Sequence, residues 1–160
     1  MGLEDRTGLD QWLQTAQIIQ VFNRYFRALD EQHFDVSYFQ QIFTNDAEIV
    51  RPHGGVTVGP SAIAHSHSES FARFKGSQHL LTGHDVNITD NTASIRANLV
   101  AIHLWKDKPA DASLMESSFT AGGVITGDLL HTPGGWRITR MENRVLWRLG
   151  YFGNMLQTRS

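Results

Sequence analysis

The chain has 160 residues, 41% of them hydrophobic and 19% charged, a composition that suits one packed core and excludes a disordered chain. A formal net charge of -2 excludes the basic surface that displaces counterions from nucleic acid, and no run of like charge marks an anionic membrane surface. With no cysteine in the chain, disulfides, thiolate nucleophiles and Cys-ligated zinc are excluded too.

Met1 to Asp10 is polar and lacks the apolar core of a secretory leader. No stretch approaches the roughly 18 apolar residues of a membrane span, so the expected location is the cytoplasm. Leu9, Trp12, Leu13, Ala16, Ile19, Phe22, Phe26 and Leu29 then recur at helical spacing. Ile18, Val21, Tyr25 and Ala28 widen that apolar arc, which predicts a largely buried helix ending near Asp30 to His33. Thr7 to Asp10 reads as a weak capping box at its start. A second short helix is expected with Val36, Phe39, Ile42 and Phe43 inward. Ala47 to Arg51 predicts a short strand, stopped by Pro52 and Gly54-Gly55, with Val56 to Val58 as its hairpin partner. Gly59-Pro60-Ser61 opens a third helix, with Ile63, Phe71 and Phe74 inward and Gly76 as its C-cap.

The second half reads as strands. His79 to Thr89 and Thr92 to Lys106 flank a turn at Asp90-Asn91. Asp107 to Ser118 is a polar loop. Phe119 to Leu130 and Trp136 to Trp147 form a hairpin across Thr132 to Gly135. The tail beyond Gly150 carries Tyr151, Phe152, Met155 and Leu156, which are too apolar to be left in water. Helices followed by long strands indicate an α+β domain over residues 1–160, with a curved, cone-shaped antiparallel sheet packed by N-terminal helices around a pocket. In the long strand, Ile95, Ala97, Leu99, Ala101, His103 and Trp105 share one face. Two alanines among larger residues leave room beside them, which a solid core would fill.

Of eight histidines, His33, His53 and His131 fall in predicted turns. His65 and His67 are two apart on a helix, so they point to different faces and are poorly placed to clamp one metal. His84 is expected at an exposed edge. His79 and His103 lie in apolar strands, where a single histidine is usually a buried one satisfied by a carbonyl. Asp30 changes that balance. A carboxylate ending a buried helix is either solvated or needs a partner, and a buried imidazole is the obvious one.

These residues carry a family resemblance. Phe26-Arg27-Ala28-Leu29-Asp30, Ser77-Gln78-His79 with Leu80 to Gly83, Ala101-Ile102-His103, and Gly135-Trp136-Arg137-Ile138 with the later Arg144, Trp147, Gly150 and Phe152 resemble the SnoaL-like branch of the NTF2-like proteins. Within it the pattern is most similar to scytalone dehydratases. The resemblance implies a lyase or isomerase with no metal or organic cofactor, with Asp30, His79 and His103 as catalytic residues. In that picture Asp30 orients and charge-balances His103, and the two histidines shuttle protons. Tyr25, Arg51, Asp128, Trp147 and Phe152 are the implied substrate-binding residues. The tyrosines that hold a water against the substrate carbonyl in that enzyme are replaced here, at Leu29 and Arg51, so scytalone itself is not the expected substrate. Arg51 is either an exposed strand-end residue or an inward cation for a carbonyl or carboxylate.

The function expected is therefore a cofactor-independent dehydratase, isomerase or cyclase acting on a hydrophobic oxygenated molecule, such as a polyketide or aromatic intermediate. The expected partners are that small molecule and further copies of the chain, as a homodimer or homotrimer, with no nucleic acid and no membrane. The rival is a non-catalytic ligand-binding protein, or a structural subunit resembling the β subunit of ring-hydroxylating dioxygenases. The two diverge on whether Asp30, His79 and His103 converge. The apolar tail is expected to lie over the mouth of the cone.

Overall fold

The computed structural model describes residues 3–153. Helix α1 (Leu3–Asp30) is followed by α2 (Val36–Phe39), the hairpin β1 (Phe43–Val50) and β2 (Val56–Val58), and α3 (Pro60–Phe71). Strands β3 (Phe74–Thr89) and β4 (Thr92–Trp105), a short α4 (Leu114–Ser117), and strands β5 (Ser118–Thr132) and β6 (Gly135–Gly150) complete it. The six strands form one curved, unclosed sheet in the order β2-β1-β6-β5-β4-β3. All pairings are antiparallel except β1 with β6, so the sheet is mixed rather than purely antiparallel. No helix is long and apolar enough to cross a membrane among the described residues.

The second half of α1 packs as its spacing predicts: Ile18, Phe22, Tyr25, Phe26 and Leu29 are buried. Its first half does not. Leu9, Trp12 and Leu13 are 54%, 67% and 49% exposed, and Thr7 to Asp10 lies inside the helix rather than capping it. The helix can lie close to the sheet because residue 127 is glycine; a Cβ there would come within 2.6 Å of the Phe22 ring. Strand β3 starts earlier than its apolar run suggests. Phe74 and Gly76 belong to it rather than to α3, with Phe74 opposite Trp105 and Gly76 opposite Leu104. Met155 and Leu156 lie outside the described residues.

Strand alternation and register give the sheet two distinct faces. On the inner face, one row runs Ser77, His103, Phe119 and Gly150, and the next runs His79, Ala101, Ala121 and Arg148. On the outer face, Leu80, Val100, Gly122 and Trp147 form one row, and Gln78, Ile102, Thr120 and Leu149 the next.

Candidate active site

Asp30 is the last residue of α1. A carboxylate at a helix C-terminus faces the negative end of the helix dipole, so it must be compensated from elsewhere. The compensation comes from the edge strand. The His79 backbone N–H donates to Asp30 Oδ2 at 2.9 Å, the Ser77 hydroxyl donates to Oδ1 at 3.3 Å, and the His79 ring bonds Oδ1 at 2.6 Å through Nδ1. Burial alone would raise the Asp30 carboxyl, but the hydrogen bonds and charge of His79 and the Ser77 hydroxyl outweigh it and hold it below the usual range. Asp30 is thus ionised and can only accept, so Nδ1 of His79 carries the hydrogen. The imidazole lone pair then resides on Nε2, the position of a general base.

The partner of Asp30 is therefore His79 and not His103, contrary to the sequence-based expectation. His103 stands on the inner face beside it, with ring centroids 5.3 Å apart. It is enclosed by Phe71, Phe74 and Phe119, at 5.5, 4.7 and 4.6 Å between centroids. Burial pushes its pKa down to about 3, assisted by the charge of His79 and opposed by that of Asp30. His103 is a neutral imidazole at physiological pH, and its buried Nδ1 has no hydrogen-bond partner among the described residues.

A second polar pair completes the interior. The Tyr25 hydroxyl and Nε2 of His67 are 2.9 Å apart, and both residues are buried. Burial pushes the phenol well up, opposed by the Arg51 charge. His67 is held neutral, near 3, first by burial and then by the charges of Arg51 and His79. Arg51 donates to the Ser66 hydroxyl at 2.5 Å, which anchors it against α3 rather than leaving it loose at the strand end. The sequence analysis set His67 aside with His65, although a signal for its inward position existed: it falls four residues after Ile63 and four before Phe71, on the inward face of α3. His65, two residues earlier, faces solvent and pairs with Glu69.

Two of the expected binding residues are elsewhere. Asp128 is exposed on the outer face, in register with Ser94 and Arg140. Trp147 is 48% exposed and covers Gly122 on the same outer face, where a Cβ would collide with its ring. The strand period decides both outcomes, since each lies one residue out of phase with the inner row. Phe152 does reach the interior: its ring is 4.5 Å from that of Phe119. Tyr151 is half exposed beneath the Lys108 ammonium.

Three aromatic rings pack around His103, and two recesses lie away from them among the described residues. One, of about 630 Å³, sits between residues 108–116 and Tyr151. The other, of about 220 Å³, lies where the end of β1 meets β6 and is lined by Arg51, Asn143, Arg144, Val145 and Arg148 among others. Among the described residues, no three His, Asp or Glu side chains cluster as metal ligands.

The family model for the SnoaL-like domain matches residues 10–142. The chain belongs to the SnoaL-like domain family. Solved structures agree on the fold. This SnoaL-like chain is similar to a protein of Kribbella flavida at 23% identity and TM-score 0.76, over 86% of this chain and 94% of that one. It is similar to a Novosphingobium aromaticivorans protein assigned by name to scytalone dehydratase, at 17% identity and TM-score 0.76, over 89% and 91%. It is also similar to a hexachlorocyclohexane dehydrochlorinase of Novosphingobium barchaimii, at 15% identity and TM-score 0.74, over 91% and 95%. A search of curated proteins finds no match.

Proposed function

We propose that the protein is a cofactor-independent acid–base enzyme, an eliminating lyase or isomerase, in which His79 is the base and Asp30 its charge partner. The observation that carries this reading is the 2.6 Å contact from Nδ1 of His79 to an ionised Asp30, which leaves Nε2 as the free lone pair. In this reading Nε2 takes a proton from carbon next to a substrate carbonyl. The C–H electrons become the new double bond as the C–O bond to the leaving hydroxyl breaks. The proton on His79 then returns to the departing hydroxide, which leaves as water. Asp30 stabilises the imidazolium that exists between those steps. His103, neutral in the fold, is assigned a hydrogen bond to the leaving oxygen or carbonyl rather than a charged acid role. Neighbours named for a dehydratase and a dehydrochlorinase suit elimination on this fold.

The substrate is assigned as a hydrophobic oxygenated metabolite, since aromatic rings surround the reacting groups. Self-association through the outer sheet face belongs to the same proposal. Leu80, Trp147 and Leu149 are 47%, 48% and 54% exposed there, on adjoining rows of one apolar face, and such a surface favours a second copy.

The test is incubation with hydroxy-ketones in deuterated water, read by NMR and mass spectrometry for water loss or carbon-bound deuterium. His79→Gln should lower the rate of any conversion by about 10²–10⁴-fold, and chelator should leave it unchanged. Full activity in His79→Gln would overturn the assignment of the base.

A further inference from the structure

The inner row of the sheet that begins at His79 ends at an arginine. His79, Ala101, Ala121 and Arg148 are directly paired across β3, β4, β5 and β6. They share one face and span three inter-strand steps of about 4.8 Å, or about 14 Å along the sheet. The two alanines between them carry no bulk, so this row is a floor with a base at one end and a cation at the other. Arg148 reaches the recess between the end of β1 and β6, where Arg51 and Arg144 also line the wall.

The charge of that recess is unbalanced. Glu142 also lines it, and Arg140, 3.6 Å from that carboxylate, is shared with Glu48 at 2.6 Å, so one carboxylate faces three guanidiniums. Among the described residues, Arg51, Arg144 and Arg148 have no carboxylate within ion-pair distance. Arg51 is half-buried, is fixed by Ser66, and links the recess to the Tyr25–His67 pair inside. Three guanidiniums around a recess of about 220 Å³ repel one another unless an anion joins them, and the planar guanidinium fork matches a carboxylate.

We propose that the substrate carries a carboxylate, seated in this recess on Arg51 and Arg148, with an apolar body lying over Ala101 and Ala121 and its acidic C–H directed at His79. This names the substrate class of the site and rests on His79 being the base. The carboxylate is the handle and not the activating group; a carbonyl at the far end of the substrate makes the C–H acidic.

The recess can be tested without a known substrate. The probe is 3-phenylpropionate, compared with the uncharged 3-phenylpropionamide, by titration calorimetry and ligand-observed NMR at low and high salt. The carboxylate should bind about tenfold more tightly than the amide, and salt should erode that preference. Arg148→Gln should abolish the preference. Arg51→Gln should do the same, but it also breaks the Ser66 contact, so the surface variant Arg148→Gln decides. His79→Gln should retain the preference while losing turnover. Equal binding of acid and amide, no binding by either at millimolar concentration, or an undiminished preference in a folded Arg148→Gln protein would each overturn the carboxylate site. Retained preference together with undiminished turnover in His79→Gln would overturn the catalytic reading alone.

Discussion

At the scale of single residues, the site depends on which imidazole receives the carboxylate. Asp30, His79 and His103 were all legible in the sequence because a helix-end carboxylate and histidines in apolar strands are both costly without a purpose. Their pairing was not legible, since it turns on which strand the end of α1 touches. Asp30→Asn keeps an oxygen for Nδ1–H but loses the charge that balances an imidazolium, so turnover should fall by about 10²–10⁴-fold with ligand binding largely kept. Steady-state kinetics on any compound the protein converts checks the split between kcat and KM. The neutral histidines make a separate prediction. His67 and His103 are both held near 3 against an ordinary 6.5. Between those values the unfolded chain binds more protons than the fold does. The stability they allow is complete above about pH 6.5 and is lost as pH falls toward 3. Urea midpoints measured across that window should fall with acidification, and His103→Gln should shallow the slope. An equally steep slope in that variant would mean His103 is not held neutral.

At the scale of elements, α1 and the edge strand β3 form the working unit. The helix terminates with a left-handed Gln32, at φ 51°, and the Gln32 side chain reaches the Phe74 carbonyl at 3.1 Å, so the helix end is tied to the strand that holds His79. Periodicity located α1, α3 and the long strands within a few residues. It failed where a period was interrupted: Phe74 and Gly76 looked helical because they continue α3, yet they pair with β4. The resemblance misplaced Asp128 and Trp147, because side-chain phase in β5 and β6 is set by bulges at Gly122/Gly123 and Asp128/Leu129 that leave no mark in composition. Gly127 does have a legible consequence. Gly127→Ala would press a methyl into the fully buried Phe22 ring. The expected loss, read from the chemical denaturation midpoint, is about 1–3 kcal/mol. An unchanged midpoint would mean that α1 can lift from the sheet without cost.

At the scale of the whole molecule, the order of helices and strands was enough to expect a curved sheet packed by N-terminal helices, and the family match agrees. Alternation marked the inner face of β4, from Ile95 to Trp105, all of whose alternate residues are buried; what it could not provide was the side-chain phase of β5 and β6, from which the rest of the inner floor and the exposed outer rows follow. If copies pair through the outer face, Trp147→Asp should shift the protein toward monomer in sedimentation velocity without disturbing the inner row. The fold has one task in this account: to bring the end of a helix against an edge strand so that Asp30 fixes the His79 tautomer. The most direct measurement is ¹⁵N NMR of histidine-labelled protein near neutral pH. The account predicts that neutral His79 is protonated on Nδ1, with a strongly deshielded proton that is lost or shifted in Asp30→Asn, and an unprotonated Nε2. A His79 ring protonated on Nε2 and bare at Nδ1 would contradict it, because the base would then face the wrong way.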